Sequence, residues 1–499
     1  MDQPTPIQKL FRNANVFITG GTGFMGKILI EKLLRSTEVN TIYLLVREKK
    51  GKSIHTRIDE LFEDVIFDEV KKKCPKFKHK IEAISGECQL SGLGLNIIDM
   101  QTLISKVNII FHVAATVRFD ENIKIAYDIN VNGIKYVIDL ARKMTNLKSI
   151  VHVSTAYSNC TRSVIEEKIY DCPLSYEDVG RILEKISHEE ADALTPRLLG
   201  EWPNTYTYTK ALAENLVNDI GKGLPLAIFR PSIIVSTYKE PIPGWIDNLY
   251  GPTGCCAGVV TGVLRVLYCD PNLVADIVPI DTCVSALISI AWDLTTKKSD
   301  TKSEITVYNY VSEVENPVKW QEFIQLNILQ KYDYPVTNAL WTAFVVLTHN
   351  KYIFWLLTLC LHMIPGIILD AFAVLTRHKP KMIEVYKKVH KFTTSISYFS
   401  TRSWKFSNKN TTDLWEKLDD RDKKLFLFSL TLVNWLQFFR FYIRGIRRYL
   451  LNESDNTLKE AKQKQKWLGF FHTTVKYSII FLIYSAISKL FSTGLSLMF

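Results

Sequence analysis

No two of the nine cysteines form a CxxC pair. Their scatter, with Cys255 and Cys256 adjacent, is poor geometry for an ordinary disulfide framework. Reduced thiols facing a cytosolic compartment are expected. The sequence also lacks zinc-finger spacing and any RNA-binding signature, so nucleic acid is set aside as a partner despite a net charge of +11. Residues 1–12 are polar and carry no apolar stretch, so no cleavable signal peptide is expected. There is no internal repeat and no low-complexity tract. A basic chain of this kind is left with an anionic membrane face or an anionic substrate as its partners.

What is present is length and apolar content: 499 residues, of which 47% are hydrophobic. That is ample for a large core and for more than one domain. Short apolar runs at residues 16–19, 41–46, 80–84, 108–113, 149–153 and 226–230 alternate with helical stretches such as 124–144 and 206–220. The alternation predicts an α/β fold, a Rossmann-like doubly wound parallel sheet. It fades after about residue 310. Residues 1–310 therefore read as a nucleotide-binding catalytic domain, 311–452 as a mostly helical C-terminal domain, and 453–499 as a hinge and an apolar, membrane-associating tail. Residues 352–369 carry no Asp, Glu, Lys or Arg, but Pro365 interrupts them. They read as a buried helical hairpin ahead of a membrane span. Residues 421–451 read as one amphipathic helix ending in Arg440, Arg444, Arg447 and Arg448, and 452–466 as a polar hinge. From 467 the chain is apolar, broken only by His472, Lys476 and Lys489, which suits a tail anchor, a re-entrant pair or an interfacial helix.

Gly20-x-x-Gly23-x-x-Gly26 follows the first strand and opens a helix. Glycines there let the backbone approach a pyrophosphate, and the helix N-terminus presents free N–H groups. Thr22, Phe24 and Met25 belong to the same loop. The second strand ends in Val46-Arg47-Glu48-Lys49-Lys50, where an NAD-specific enzyme places an acid for the ribose. Arg47 is positioned for a 2′-phosphate, with Lys49 or Lys50 assisting, which favours NADP; Glu48 as a ribose acceptor is the alternative. Ala114, after the fourth strand, and Asn130, on the following helix, line the same cleft or serve packing.

Tyr206 and Lys210 stand one helical turn apart and share a face. A phenol is a poor acid at neutral pH, and a neighbouring ammonium lowers its pKa. Tyr206 then protonates a carbonyl oxygen as hydride arrives, while Lys210 also holds the nicotinamide ribose. Tyr208 competes but has no Lys four residues on. Ser154 and Thr155 end the fifth strand and supply a hydroxyl for the carbonyl, with Thr155 closer to the strand mouth.

These segments closely resemble the alcohol-forming fatty acyl-CoA reductases, extended short-chain dehydrogenases with a male-sterility-type C-terminal domain. The matching stretches are 18–27, 111–119, 151–157, 204–211 and 230–234. The most telling is 240–252, Glu-Pro-Ile-Pro-Gly-Trp-Ile-Asp-Asn-Leu-Tyr-Gly-Pro, which general short-chain dehydrogenases lack. Residues 404–408 and 434–451 are similar to the family's second domain. The resemblance covers roughly residues 10–452. No carrier-protein or adenylation segment accompanies it, which argues against a carboxylic acid reductase. It implies NADPH-dependent reduction of long-chain fatty acyl-CoA to a primary alcohol through a bound aldehyde, with CoA released. It implies roles for Tyr206, Lys210 and Ser154 or Thr155 as above, and CoA phosphates on the basic surface. The Trp245 segment and the C-terminal half are expected to build the acyl tunnel. It further implies membrane lipid as partner of the C-terminal region and residence at the endoplasmic reticulum, or peroxisome, with the catalytic domain in cytosol. Ser85-Gly86-Glu87 departs from the family's Gly-Asp near the adenine, with Glu87 expected to make the same contact. The rivals are a reductase that stops at aldehyde, a membrane-bound hydroxysteroid-type dehydrogenase, and a non-catalytic Rossmann protein.

Overall fold

In the computed structural model, which describes residues 3–49, 51–297 and 304–496, the six apolar runs become strands β1 (Asn15–Thr19), β2 (Thr41–Val46), β3 (Ile81–Ser85), β4 (Ile109–His112), β5 (Ser149–Val153) and β6 (Leu226–Pro231). A seventh, β7 (Thr306–Tyr310), joins them in one sheet of order β7-β6-β5-β4-β1-β2-β3. Every neighbouring pair is parallel. β4 and β5 are buried along their whole length, which is why apolar Ile, Val and Phe dominate both, with His112 and His152 enclosed among them. The order reverses between β1 and β4, and that reversal opens a crevice at their C-terminal ends. β7 escapes a hydropathy reading because it carries Tyr308, Asn309 and Tyr310, whose polar atoms find partners remote in sequence. Tyr308 donates to Asp293 at 2.6 Å and Tyr310 to the Phe428 carbonyl at 2.7 Å.

The chain forms two compact units that interleave in sequence. One comprises residues 1–246, 274–318 and 402–434 and contains the whole sheet. The other comprises 247–273, 319–401 and 435–499. These boundaries differ from cuts at 310 and 452, because residues 402–434 return to the sheet unit. Lys405–Phe406 pairs with Val164–Ile165, and the Trp404 indole donates to the Cys160 carbonyl at 2.9 Å. For the same reason residues 421–451 are not one helix. They form Asp420–Leu425, a connecting stretch with a 3-10 turn at Leu430–Leu432, and Trp435–Gly445 followed by a π-turn. The Leu430 N–H in that stretch is claimed by Glu315 at 2.9 Å.

The sheet unit includes α1 (Phe24–Ser36), α2 (Thr205–Ile220) and α3 (Ile280–Thr296). Asn204 caps α2 by accepting the Thr207 N–H at 2.9 Å. The expected helix at 124–144 is interrupted by a π-turn at Asp128–Asn132.

The helical unit includes α4 (Ile364–Leu375), α5 (Met382–Ser400) and α6 (Leu458–Ser496). Among the described residues, two stretches are long and apolar enough to cross a membrane, Lys351–Leu375 and Asp455–Lys489. The first was expected to be a buried hairpin, and that expectation is corrected: its apolar window is 17% buried. The expected polar hinge at 452–466 is shorter as well. α6 starts at Leu458 because Lys, Glu, Ala and Gln are strong helix formers, and Gln465 ties it down by donating to Thr342 at 2.7 Å. Arg447, read as part of a basic helix end, is buried at 1% exposure and donates to the carbonyls of Pro335, Glu453 and Ser454.

Asp281, in the first turn of α3, holds the segment that leads to Trp245. Its carboxylate accepts the backbone N–H groups of Tyr238, Lys239 and Glu240 at 2.7, 2.8 and 3.0 Å. Replacing it, Asp281→Ala, strands all three donors. Urea unfolding of this variant is expected to show a loss of about 2–4 kcal/mol.

Candidate active site

The cofactor end is built where β1 and β4 diverge. Gly20 adopts φ +75°, and a Cβ on it would lie 2.6 Å from the Ala114 nitrogen. A Cβ on Gly26 would lie 2.3 Å from the Gly20 carbonyl oxygen, so α1 can pack on the loop only with glycine there. At Gly23 the same test meets nothing closer than the Gly20 oxygen at 3.2 Å, and no side chain caps α1. The loop thus offers an open cradle at a helix N-terminus, which fits a pyrophosphate. Phe24 and Met25 begin α1. Phe24 stacks at 5.5 Å on Trp245, which is buried, and the Trp245 indole donates to Asp64 at 3.2 Å. Trp245 therefore supports the cofactor helix. The ring is enclosed by α1 and Asp64.

Thr22 receives a hydrogen bond from Arg57 at 3.3 Å, and Arg57 also donates to the Arg47 carbonyl at 2.6 Å. Arg47 itself is ion-paired with Glu87. Burial foremost, and then the neighbouring Arg47 charge, pull the Arg57 pKa down, opposed by Glu60. Arg57 was missed in the sequence because it stands ten positions past Arg47 on the helix Ile54–Glu63, and no spacing rule reports it. Lys49 lies in a tight Lys49–Lys52 bridge, and Lys50 lies outside the described residues.

Asn130, within the π-turn, is wholly buried. It accepts from the Thr116 N–H at 3.0 Å, and its amide donates to the Thr116 carbonyl at 3.2 Å and to Thr209 at 3.0 Å. It ties the loop after β4 to α2, and Ala114 in that loop donates to Thr19 at 3.3 Å.

Tyr206 is half-buried, stacked at 6.2 Å on Phe119. Burial pushes its phenol up to about 12, opposed by a hydrogen bond with Thr155. Burial also pulls the Lys210 ammonium down to about 8, opposed by Glu214 and Cys88. The expected lowering of the Tyr206 pKa by Lys210 is corrected: desolvation dominates, and Lys210 Nζ donates to the Val153 carbonyl at 2.7 Å. Tyr208 faces the core against Trp202 at 5.4 Å and is 1% exposed.

Ser154 does not join Tyr206 and Thr155. Its hydroxyl donates to Glu214 at 2.5 Å. Glu214 is 1% exposed and also accepts from Ser158 at 3.0 Å and Asn159 at 3.3 Å. Arg230, fully buried, grips it with two bonds of 2.8 and 2.6 Å. Glu214 and Arg230 went unassigned in the sequence. The signal that marks them is a charge of each sign inside an apolar helix face and an apolar strand.

Two models described as male sterility protein match, an NAD-binding one over residues 18–287 and a second over 361–453. The chain is 41% identical to "Fatty acyl-CoA reductase wat" of Drosophila melanogaster, covering 98% of this chain and 94% of that protein. It is 36% identical to "Fatty acyl-CoA reductase 2" of Homo sapiens, covering 93% of this chain and 90% of that one. In fold it resembles the reductase domain of a nonribosomal peptide synthetase from Mycobacterium tuberculosis, with TM-score 0.58, 18% identity and coverage of 91% and 94%. It likewise resembles the terminal reductase domain of the myxalamid pathway, with TM-score 0.57, 19% identity and coverage of 87% and 90%.

Removing one partner of a buried, hydrogen-bonded ion pair leaves an uncompensated charge. Arg230→Met is therefore expected to destabilise the protein by about 3–5 kcal/mol in denaturant unfolding. The double variant Arg230→Met/Glu214→Gln should recover much of that loss; no recovery would place the damage in packing and not in charge.

Proposed function

The chain belongs to the fatty acyl-CoA reductase family, and from that premise we propose that it reduces long-chain fatty acyl-CoA with NADPH to a primary fatty alcohol, through a bound aldehyde and with release of CoA. The observation that carries this reading is the hydrogen-bonded pair Thr155–Tyr206 at the end of β5, on the same sheet edge as the open glycine cradle. Gly20, Thr22, Gly23, Phe24, Met25 and Gly26 hold the pyrophosphate, and Lys210 the nicotinamide ribose. Two molecules of NADPH, bound in turn, would supply the two hydrides, the first to the thioester carbon, from which CoA leaves as the thiol, and the second to the aldehyde carbon. Tyr206, protonated at neutral pH with its pKa near 12, gives its proton to the carbonyl oxygen, and Thr155 orients that oxygen. Ser154 acts through Glu214 to position α2. Asn130 and Ala114 shape the loop beside the cofactor.

NADPH is preferred to NADH on the strength of Arg47 and Arg57. The Arg57 guanidinium sits between Thr22 and the Arg47 carbonyl, and a 2′-phosphate there would take its charge together with that of Arg47. The helical unit supplies apolar surface for the acyl chain and the membrane. By the resemblance to its family the enzyme is expected at the endoplasmic reticulum membrane, with the peroxisome as alternative, and its catalytic unit in cytosol. A protein that stops at aldehyde remains the second reading, because the same proton donor serves either reduction.

Membrane fractions given palmitoyl-CoA and NADPH should yield hexadecanol, and Tyr206→Phe should lower the rate by roughly 10²–10⁴-fold. Thr155→Ala should fall toward the same level. Accumulated aldehyde supports the single-step reading, and absence of product at every chain length removes the acyl-CoA assignment. On cofactor choice, Arg57→Ala and Arg47→Ala should each raise KM for NADPH about tenfold or more and leave that for NADH nearly unchanged. Equal effects on both cofactors would count against a 2′-phosphate site.

A further inference from the structure

Within the helical unit, Lys351–Thr358 runs through a π-turn at Leu359–Met363 into α4. The two sides of this rod differ. On one side His362 is buried at 1% exposure, accepts the Arg265 backbone N–H at 2.9 Å and stacks on Tyr386 at 4.9 Å. Gly366 lies on the same side, where a Cβ would come within 3.0 Å of the Tyr386 ring. The other side presents Trp355, Leu356, Ile368, Phe372 and Leu375, all at least 61% exposed.

The rod has 25 residues, and its most apolar 18-residue window has a mean hydropathy of 2.0. At 1.5 Å per residue it is roughly 37 Å long, enough for a hydrocarbon layer of ~30 Å. Its neighbour excludes a crossing. α5 runs antiparallel beside α4, stapled there by Asp370, which accepts the N–H groups of Lys381, Met382 and Ile383 at 2.8, 2.8 and 3.0 Å. Further along, Gly366 and His362 meet successive turns of α5 at Tyr386 and His390. A rod standing across a bilayer would carry Asp370 and the exposed Glu384, Lys387, Lys388 and Lys391 of α5 into hydrocarbon, where ionised groups are strongly disfavoured. A rod lying in the plane of the surface immerses its apolar side and leaves α5 in water.

The turn between the two helices carries Arg377, Lys379 and Lys381, all exposed. Cations at the tip of an apolar stripe complement anionic phospholipid headgroups. We propose that the rod formed by Lys351–Leu375 is an in-plane membrane anchor, whose apolar side enters the outer layer of an anionic bilayer and whose basic turn binds phospholipid headgroups. It is distinct from α6 and requires neither acyl-CoA nor NADPH, so it stands or falls apart from the reductase reading.

Cys360 is exposed on the rod; among the other thiols only Cys74 and Cys172 are partly accessible, and six are buried. A fluorophore on Cys360, in the full chain with Cys74→Ser and Cys172→Ser, is followed in phosphatidylcholine vesicles with or without phosphatidylserine. Lipids brominated near the headgroup should quench it more than lipids brominated near the chain end, and phosphatidylserine should increase the quenching. The triple variant Arg377→Gln/Lys379→Gln/Lys381→Gln should lose that increase, partitioning of the segment falling roughly fivefold per charge removed. Labelling Leu356→Cys in a Cys360→Ser background should repeat the result at a second exposed position. Strongest quenching by chain-end bromines means a crossing, no quenching means a segment in water or under another protein, and self-quenching that rises with protein concentration means a second copy. Each of these three overturns the proposal.

Discussion

The structure turns on the buried carboxylate of Glu214. A charge at 1% exposure survives only when surrounded by donors, and Arg230, Ser154, Ser158 and Asn159 surround this one. These partners come from β6, from the end of β5 and from the loop beyond it, while Glu214 itself rides on α2. The knot therefore fixes the helix that carries Tyr206 and Lys210 against the strand end that carries Thr155. It also assigns the two adjacent hydroxyls: Ser154 is turned into the knot, and Thr155 is left for Tyr206. Its charge is felt at Lys210, where it resists the loss of the ammonium that burial alone would cause.

Desolvation acts at both ends of the same cleft, joined at the cofactor end by charge. At the catalytic end burial raises the phenol and lowers the ammonium, so both groups are governed by exclusion of water more than by one another. At the far end burial and then the Arg47 charge act on Arg57, while Glu87 engages Arg47. The first environment keeps a proton on Tyr206. The second holds an excess of positive charge that suits an anion. Between them the glycine loop contributes shape, since its contacts tolerate no Cβ at Gly20 or Gly26.

The interleaving of the two units has a physical origin in where polar backbone is satisfied. Residues 402–434 come back to the sheet unit because β7 and the loop after it offer them Glu315, Asn316 and the Tyr310 hydroxyl. In the helical unit, the apolar rod keeps one side against α5 through His362, Gly366 and Asp370 while its other side stays bare. Such an arrangement places a polar staple inside a sequence that hydropathy reads as uniform.

Six of the seven strands of the main sheet, the glycine turn after the first of them, and the placing of Tyr206 and Lys210 on one helix were legible in the sequence alone, whereas the different directions of Ser154 and Thr155 were not. Each legible feature depends on local chain geometry: period, turn residues, and one turn of helix between two side chains. β7, Arg57, the Glu214–Arg230 knot, the buried place of Trp245 and the bare side of the rod were decided only by tertiary structure. Each is a relation between residues far apart in the chain. Whether a charge is paired, an indole enclosed or an apolar face covered depends on what the fold brings beside it, and a sequence pattern records only what lies along it.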